Sequence, residues 1–150
     1  MFLLVMALLP RKGVLAVAAV IDVAMQAQGQ PISAKALAVR HGLPPRHLEP
    51  VLQALVRCGI LKGIRGPRGG YELAQDPRRV TANDILRAAG TVDESEEPHA
   101  GSELLNRVVL PAMAGAEHQF GIALARINLD DMTREARALG KPVSKIAARP

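Results

Sequence analysis

The residues best suited to chemistry in this sequence are cations on two short stretches, and the chemistry they suit is recognition of a polyanion. Arg65-Gly66-Pro67-Arg68-Gly69-Gly70 carries two guanidinium groups on a stretch with almost no other bulk. The glycines free the backbone and Pro67 pins one φ angle. The flanks, Leu61-Lys62-Gly63-Ile64 and Tyr71-Glu72-Leu73-Ala74, alternate apolar with polar as hairpin strands do. A narrow cationic tip of this kind has the shape to enter a DNA minor groove, where arginine meets the most negative potential. Taken alone, the same residues also make an ordinary surface hairpin with incidental arginines. The second stretch runs from Pro45 through Arg46, His47 and Glu49 to Gln53. Arg46 and His47 are placed to meet base edges, and Gln53 to reach the backbone. Glu49 is able to accept from a cytosine amine or to cap its own helix. Arg11, Lys12, Ser33 and Lys35 are of the types that hold phosphates and set register without reading sequence.

These groups need elements to position them, and the patterning supplies helices. Val14, Val17, Ala18, Ile21 and Met25 recur at helical steps and predict a helix from about Arg11 to Gln28. Gly29-Gln30-Pro31 breaks it. Ser33 caps a short helix through His41, with Leu37 and Ala38 inward and Gly42 as its stop. Pro44 and Pro45 open the next helix, whose buried face is Leu48, Leu52, Leu55 and Val56. Pro50 either kinks that helix or marks its true start, since an interior proline removes a hydrogen bond. Two short helices joined by a glycine-bearing turn and followed by a hairpin predict a winged helix-turn-helix. The fold class is therefore mainly α with a small β-hairpin wing. The helix after the turn would enter the major groove and the wing would reach the minor groove.

Beyond the hairpin, Thr81 caps a helix through about Ala89, with Asp84 a favourable early acid. A long helical pattern then runs from about Ser102 to Ile127. Val109, Met113, Ala116, Phe120, Ala123 and Ile127 step by 4, 3, 4, 3 and 4, the spacing of a heptad seam. Pro111, Gly115 and Gly121 predict a bend in it. The seam suits a dimer interface, although it would also serve intramolecular packing. A last short helix begins near Asn128-Leu129-Asp130-Asp131, with Asp131 as its cap. The expected organisation is a winged helix-turn-helix over residues 1–90, an acidic loop over 91–101, a dimerisation helix with a short terminal helix over 102–140, and a disordered basic tail over 141–150.

Composition sharpens the choice of partner. Of 150 residues, 49% are hydrophobic and 2% aromatic, so the core is aliphatic and stacking on single-stranded bases is disfavoured. The formal charge of +5 is uneven. Residues 1–79 hold eleven Lys or Arg against four acids, and the remainder holds eight against ten. Basic character is thus confined to the half that carries the hairpin, as a footprint for a polyanion requires. The apolar run Met1–Leu9 lacks a preceding positive charge and is too short to span a bilayer. Met6 is an alternative initiator, which would make residues 1–5 dispensable. A cytoplasmic protein is expected.

The stretches Leu48-Glu49 through Leu55, Gly59-Ile60-Leu61, RGPRGGYELA, Pro77, Val80-Thr81 and Asp84-Ile85-Leu86 together resemble the Rrf-type family. These are bacterial winged-helix transcription regulators that include the iron–sulfur and nitric-oxide sensors IscR and NsrR. The resemblance runs from Lys12-Gly13 to the Leu129–Asp131 segment. It implies a dimer with crossing long helices that binds palindromic promoter DNA. It places DNA contacts on the Pro45–Gln53 helix start and on the Arg65–Gly70 wing. One departure stands out. The resemblance implies three cluster-ligating cysteines in the loop before the long helix, and that loop has none; Cys58 is the chain's one cysteine. Clusters are held by thiolates, so no iron–sulfur cofactor is expected.

Other chemistry is thinner. His99 and His118 with Glu94, Glu96, Glu97 and Glu117 show no diagnostic metal spacing. Cys58 would be a redox switch if Arg57 and Lys62 lowered its pKa, but a lone cysteine at a helix end is more often a small buried residue. No nucleophile–base pair or phosphate-binding glycine loop is present, so no catalytic residue, and no enzyme, is expected. The expected function is a homodimeric repressor of a near-palindromic operator with double-stranded DNA as partner. The alternatives are a redox- or metal-responsive switch and a protein-interaction module for an acidic partner.

Overall fold

A computed structural model of the chain describes residues 11–26, 29–90 and 103–139. The apolar start, the acidic loop with Glu94, Glu96, Glu97 and His99, and the basic tail lie outside the described residues. Helix α1 (Arg11–Ala24) contributes the fully buried Ala16, Ala19 and Val20. It ends four residues before the sequence pattern suggested, in a turn closed by Met25 N–H to the Ile21 carbonyl at 3.0 Å. Helix α2 (Ala34–Arg40) starts at Ser33, whose hydroxyl accepts from the Ala36 N–H at 3.1 Å.

Helix α3 (Pro45–Arg57) is continuous through Pro50. The proline sits on the exposed side within the second turn, where the Arg46 carbonyl it deprives of a donor is able to turn to water. Both α2 and α3 end in the same device. Gly42 and Gly59 adopt φ of 64° and 75°, and the next residue donates back across the last turn. The bonds are Leu43 N–H to Ala38 O at 2.9 Å and Ile60 N–H to Leu55 O at 3.0 Å. The first of these makes the tight turn between α2 and α3. The second swings the chain directly into β1.

Strands β1 (Leu61–Ile64) and β2 (Gly70–Leu73) form a two-stranded antiparallel sheet with Leu61 opposite Leu73 and Ile64 opposite Gly70. A short 3-10 turn over Pro77–Arg79 leads to α4 (Ala82–Gly90). Thr81 and Asp84 cap α4 reciprocally. The Thr81 hydroxyl accepts from the Asp84 N–H at 3.2 Å, and the Asp84 carboxylate accepts from the Thr81 N–H at 3.0 Å. A π-helical turn over Leu105–Val109 runs into α5 (Leu110–Ala125) at Pro111, and α5 continues unbroken through Gly115 and Gly121. Helix α6 (Leu129–Ala138) is capped by Asn128, which accepts from the Asp130 N–H at 2.8 Å. Asp131, expected as that cap, lies instead in the first turn and pairs with Arg134.

The core joins α1, α2, α3, α4 and the base of the hairpin around Leu37, Leu48, Leu52, Leu55 and Ile85. Leu129 of α6 is fully buried in the same core, so the chain returns to the winged helix after α5. Helix α5 has no buried residue. Among the described residues one charged group is buried: Asp22 of α1 meets Arg40 Nη1 at 2.9 Å and lies 3.4 Å from His41 Nε2, tying α1 to the end of α2.

Candidate nucleic-acid interface

On α3 the buried residues Leu48, Val51, Leu52, Ala54 and Leu55 press one face into the core. That leaves Pro45, Arg46, His47, Glu49 and Gln53 exposed on the outer side. Arg46, His47 and Glu49 make no ion pair among the described residues and present their hydrogen-bonding groups to solvent. Gln53 is different. Its amide nitrogen donates to the Tyr71 hydroxyl at 3.0 Å, so its carbonyl oxygen is what remains to face outward.

The wing is fastened at its base and open at its tip. Tyr71 exchanges two backbone bonds with Ile32, at 3.0 and 2.8 Å, so the segment before α2 lies beside β2 as a third line of backbone. A Cβ on Gly70 would lie 2.4 Å from the Ile32 carbonyl, and one on Gly69 would lie 2.0 Å from the Ile64 oxygen. These two glycines therefore serve close backbone approach inside the protein, in addition to any slimness at the tip. Lys62 and Glu72, directly opposite in register, pair at 3.1 Å across the strands. Beyond them Arg65, Gly66, Pro67 and Arg68 are all exposed, and neither arginine has an acid partner among the described residues.

The basic half is thereby sorted. Arg40 is committed to Asp22, Lys62 to Glu72 and Arg78 to Asp76, whose carboxylate accepts from Arg78 Nη2 at 2.7 Å. Side-chain and backbone hydrogen bonds from Arg78 hold the Asp76 carboxyl down to about 2. Arg46, Arg57, Arg65, Arg68 and Arg79 are exposed and have no acid partner among the described residues, and Lys35 is exposed on α2. Lys12 is exposed at the start of α1. Ser33 is exposed but already used as a cap acceptor. The side chain of Arg11 lies outside the described residues.

Cys58 is exposed at the C-cap of α3, not buried as a lone cysteine at a helix end is expected to be. Gly59, with φ of 75°, turns the chain immediately after it. Along α5 the expected seam is open: Met113, Phe120 and Ile127 are 63%, 39% and 43% exposed, Ala116 and Ala123 are exposed, and Val109 is half-buried. Val108, Leu110 and Ile122, off that seam, are also exposed. Sequence spacing missed that the apolar surface goes round the helix. It missed too the Gln53–Tyr71 bond, which no motif announces.

Comparison with known proteins agrees on one family. The Rrf2 family model, described as an iron-dependent transcriptional regulator, matches residues 9–135. An HTH-type transcriptional regulator of Synechocystis, slr0846, is 37% identical over 127 residues, covering 81% of this chain and 84% of that protein. IscR of Vibrio campbellii is 34% identical over 87 residues, or 58% of this chain and half of that protein. Among solved structures, IscR from T. potens superposes with a TM-score of 0.64 at 31% identity, covering 85% of this chain and 87% of that one. CymR of B. subtilis gives 0.62 at 27% identity, covering 85% and 96%. An iron–sulfur cluster of the kind held by several cysteines does not fit the residues present. The chain offers a single thiol, and it stands alone at the α3 C-cap.

Proposed function

The chain belongs to the Rrf2 family of winged helix-turn-helix transcription regulators, and from that premise we propose that it is a cluster-free, homodimeric repressor of a near-palindromic operator. Its setting would be the cytoplasm. In this reading α3 enters the major groove with Arg46 and His47 on base edges and Glu49 on a cytosine amine. Gln53 sets the wing relative to α3 through Tyr71 and turns its carbonyl oxygen outward. Arg65 and Arg68 enter the minor groove at the tip formed by Gly66, Pro67 and Gly69-Gly70. Lys12, Ser33 and Lys35, with Arg11, hold phosphates on either side. The observation that carries this reading is the sorting of the cations: the acids of the winged helix neutralise Arg40, Lys62 and Arg78 and leave Arg46 and Arg57 of α3, Arg65 and Arg68 of the wing tip, and Arg79 without an acid partner among the described residues.

The open apolar surface of α5 supports the homodimer. By length and composition Asn106–Ala125 also resembles a membrane-crossing segment, but Arg107, Glu117, His118 and Gln119 within it make lipid a poor cover. A second copy, pairing Val109, Met113, Ala116, Phe120, Ala123 and Ile127 across a two-fold axis, would bury that seam without stranding those groups in lipid. The test is selection of duplexes from a random-sequence pool, followed by titration at increasing salt. A dimer placing three to five cations per subunit on phosphates loses roughly 10³–10⁵ in affinity between low and moderate salt. Failure to enrich any duplex, or a salt-insensitive interaction, would instead favour docking to an acidic protein.

A further inference from the structure

We propose that the groove between the start of α1 and the first turns of α3 binds a small amphipathic organic anion, a monocarboxylate with an aliphatic body. We further propose that this ligand competes with DNA for Arg46 and His47. The competition rests on the DNA-reading role proposed above; the binding does not. The cavity measures about 700 Å³, within the range of roughly 300–1,000 Å³ typical of small-molecule sites. Its walls and floor are aliphatic: Leu15 of α1, Leu43 of the turn, and Leu48, Pro50 and Val51 of α3. Leu48 and Val51 are 1% and 3% exposed, so the floor is continuous with the core.

The polar lining holds two cations and an imidazole. Lys12 from α1 and Arg46 and His47 from α3 are the remaining groups around the cavity, and no carboxylate lines it among the described residues. Glu49, the nearest acid along α3, is exposed and outside the lining. This combination selects a ligand class. An inorganic anion would gain nothing from five aliphatic side chains, and an uncharged apolar molecule would cover the Arg46 guanidinium without pairing it. A carboxylate on an aliphatic body satisfies both sets. Because Arg46 and His47 are also the exposed polar groups proposed to meet base edges, a head group held beside them and Lys12 draws them back from a base edge.

Calorimetric titration of the full chain, without DNA, with octanoate, octanol and octylamine tests the binding. Octanoate is expected to bind at least about tenfold more tightly than either control, as a charge-assisted contact implies. Leu15→Trp, and separately Leu43→Phe, narrow the groove and should each abolish that preference. With a selected duplex, saturating octanoate should weaken DNA binding by about tenfold or more. In Leu15→Trp the duplex should bind normally and ignore octanoate. Equal binding of the three amphiphiles would overturn the proposal. So would octanoate binding that survives both substitutions, which would place it elsewhere, as on the apolar surface of α5. Binding that appears only in a chain starting at Met6 would assign the groove to the protein's own apolar start, and would overturn it too. Loss of octanoate binding in Leu15→Trp, together with failure to enrich any duplex, would uphold the site and sink the DNA-reading role.

Discussion

Helices α3 and α5 are of similar length, 13 and 16 residues, and folding leaves them with opposite kinds of surface. Five apolar side chains of α3 are buried, and what it shows to solvent is Arg46, His47, Glu49 and Gln53. Nothing on α5 is buried, and what it shows is Met113, Phe120, Ile122 and Leu110. The two helices therefore need different partners. A helix whose apolar face is already satisfied is free to offer charge to a polyanion. One whose apolar surface is unsatisfied needs another apolar surface, because exposed patches of this kind mark interaction sites.

The largest effect is expected at α5. Met113→Glu with Phe120→Glu should convert the dimer to a monomer, read by light scattering on a sizing column. Duplex affinity should then fall by about a hundredfold or more, as the second half-site ceases to be an intramolecular event. A dimer that survives both charges would remove α5 from the interface. Next in size is the wing. Replacing Arg65 and Arg68 by alanine should cost about 1–3 kcal/mol of duplex binding per arginine and leave the dimer mass unchanged. Parallel loss of both properties would mean that the two surfaces are not independent.

A smaller effect separates α3 from its own support. Tyr71→Phe removes the hydroxyl that Gln53 holds at 3.0 Å and should lower stability by about 0.5–1.5 kcal/mol. Gln53→Ala added to that variant should cost little more in a thermal melt, because the pair acts as one unit. Full additivity would show that the bond is idle. The smallest effect is at Asp76, whose folded pKa of about 2 lies below its usual 3.8. A lowered carboxylate pKa stabilises the fold above the ordinary value and ceases to do so as pH falls through about 2. The melting-temperature gap between the native chain and Asp76→Asn should therefore be constant above about pH 4 and close toward pH 2. A gap that does not narrow would detach it from this ionisation.

Much of this was legible in the sequence because the signals are local. Ser33, Thr81, Gly42 and the alternation around Arg65–Gly70 each act within four residues of where they stand, and caps, turns and hairpin follow from them. What sequence could not give depends on distance along the chain. Gly70 reads as a slim residue at a tip, yet its lack of a side chain is demanded by Ile32, thirty-eight positions earlier. Arg40 counts toward a basic footprint until Asp22, eighteen positions earlier, is seen to occupy it. The seam on α5 was read from a heptad, and only the folded chain reveals that its apolar surface is broader than one stripe.

The junction after α5 deserves a mechanical reading. Ala82 N–H donates to the Ile127 carbonyl at 2.9 Å, Leu129 N–H to the Val80 carbonyl at 2.8 Å, and the Asn128 amide to the Arg78 carbonyl at 2.6 Å. These bonds weld the root of α5 to the start of α4, which packs against both α1 and α3. In a pair joined through α5, the separation and tilt of the two recognition helices are then fixed at this weld. In the proposed dimer, Asn128 would be the zero mark of a ruler for operator spacing, and a substitution there would misalign the half-sites without touching a single group proposed to face DNA.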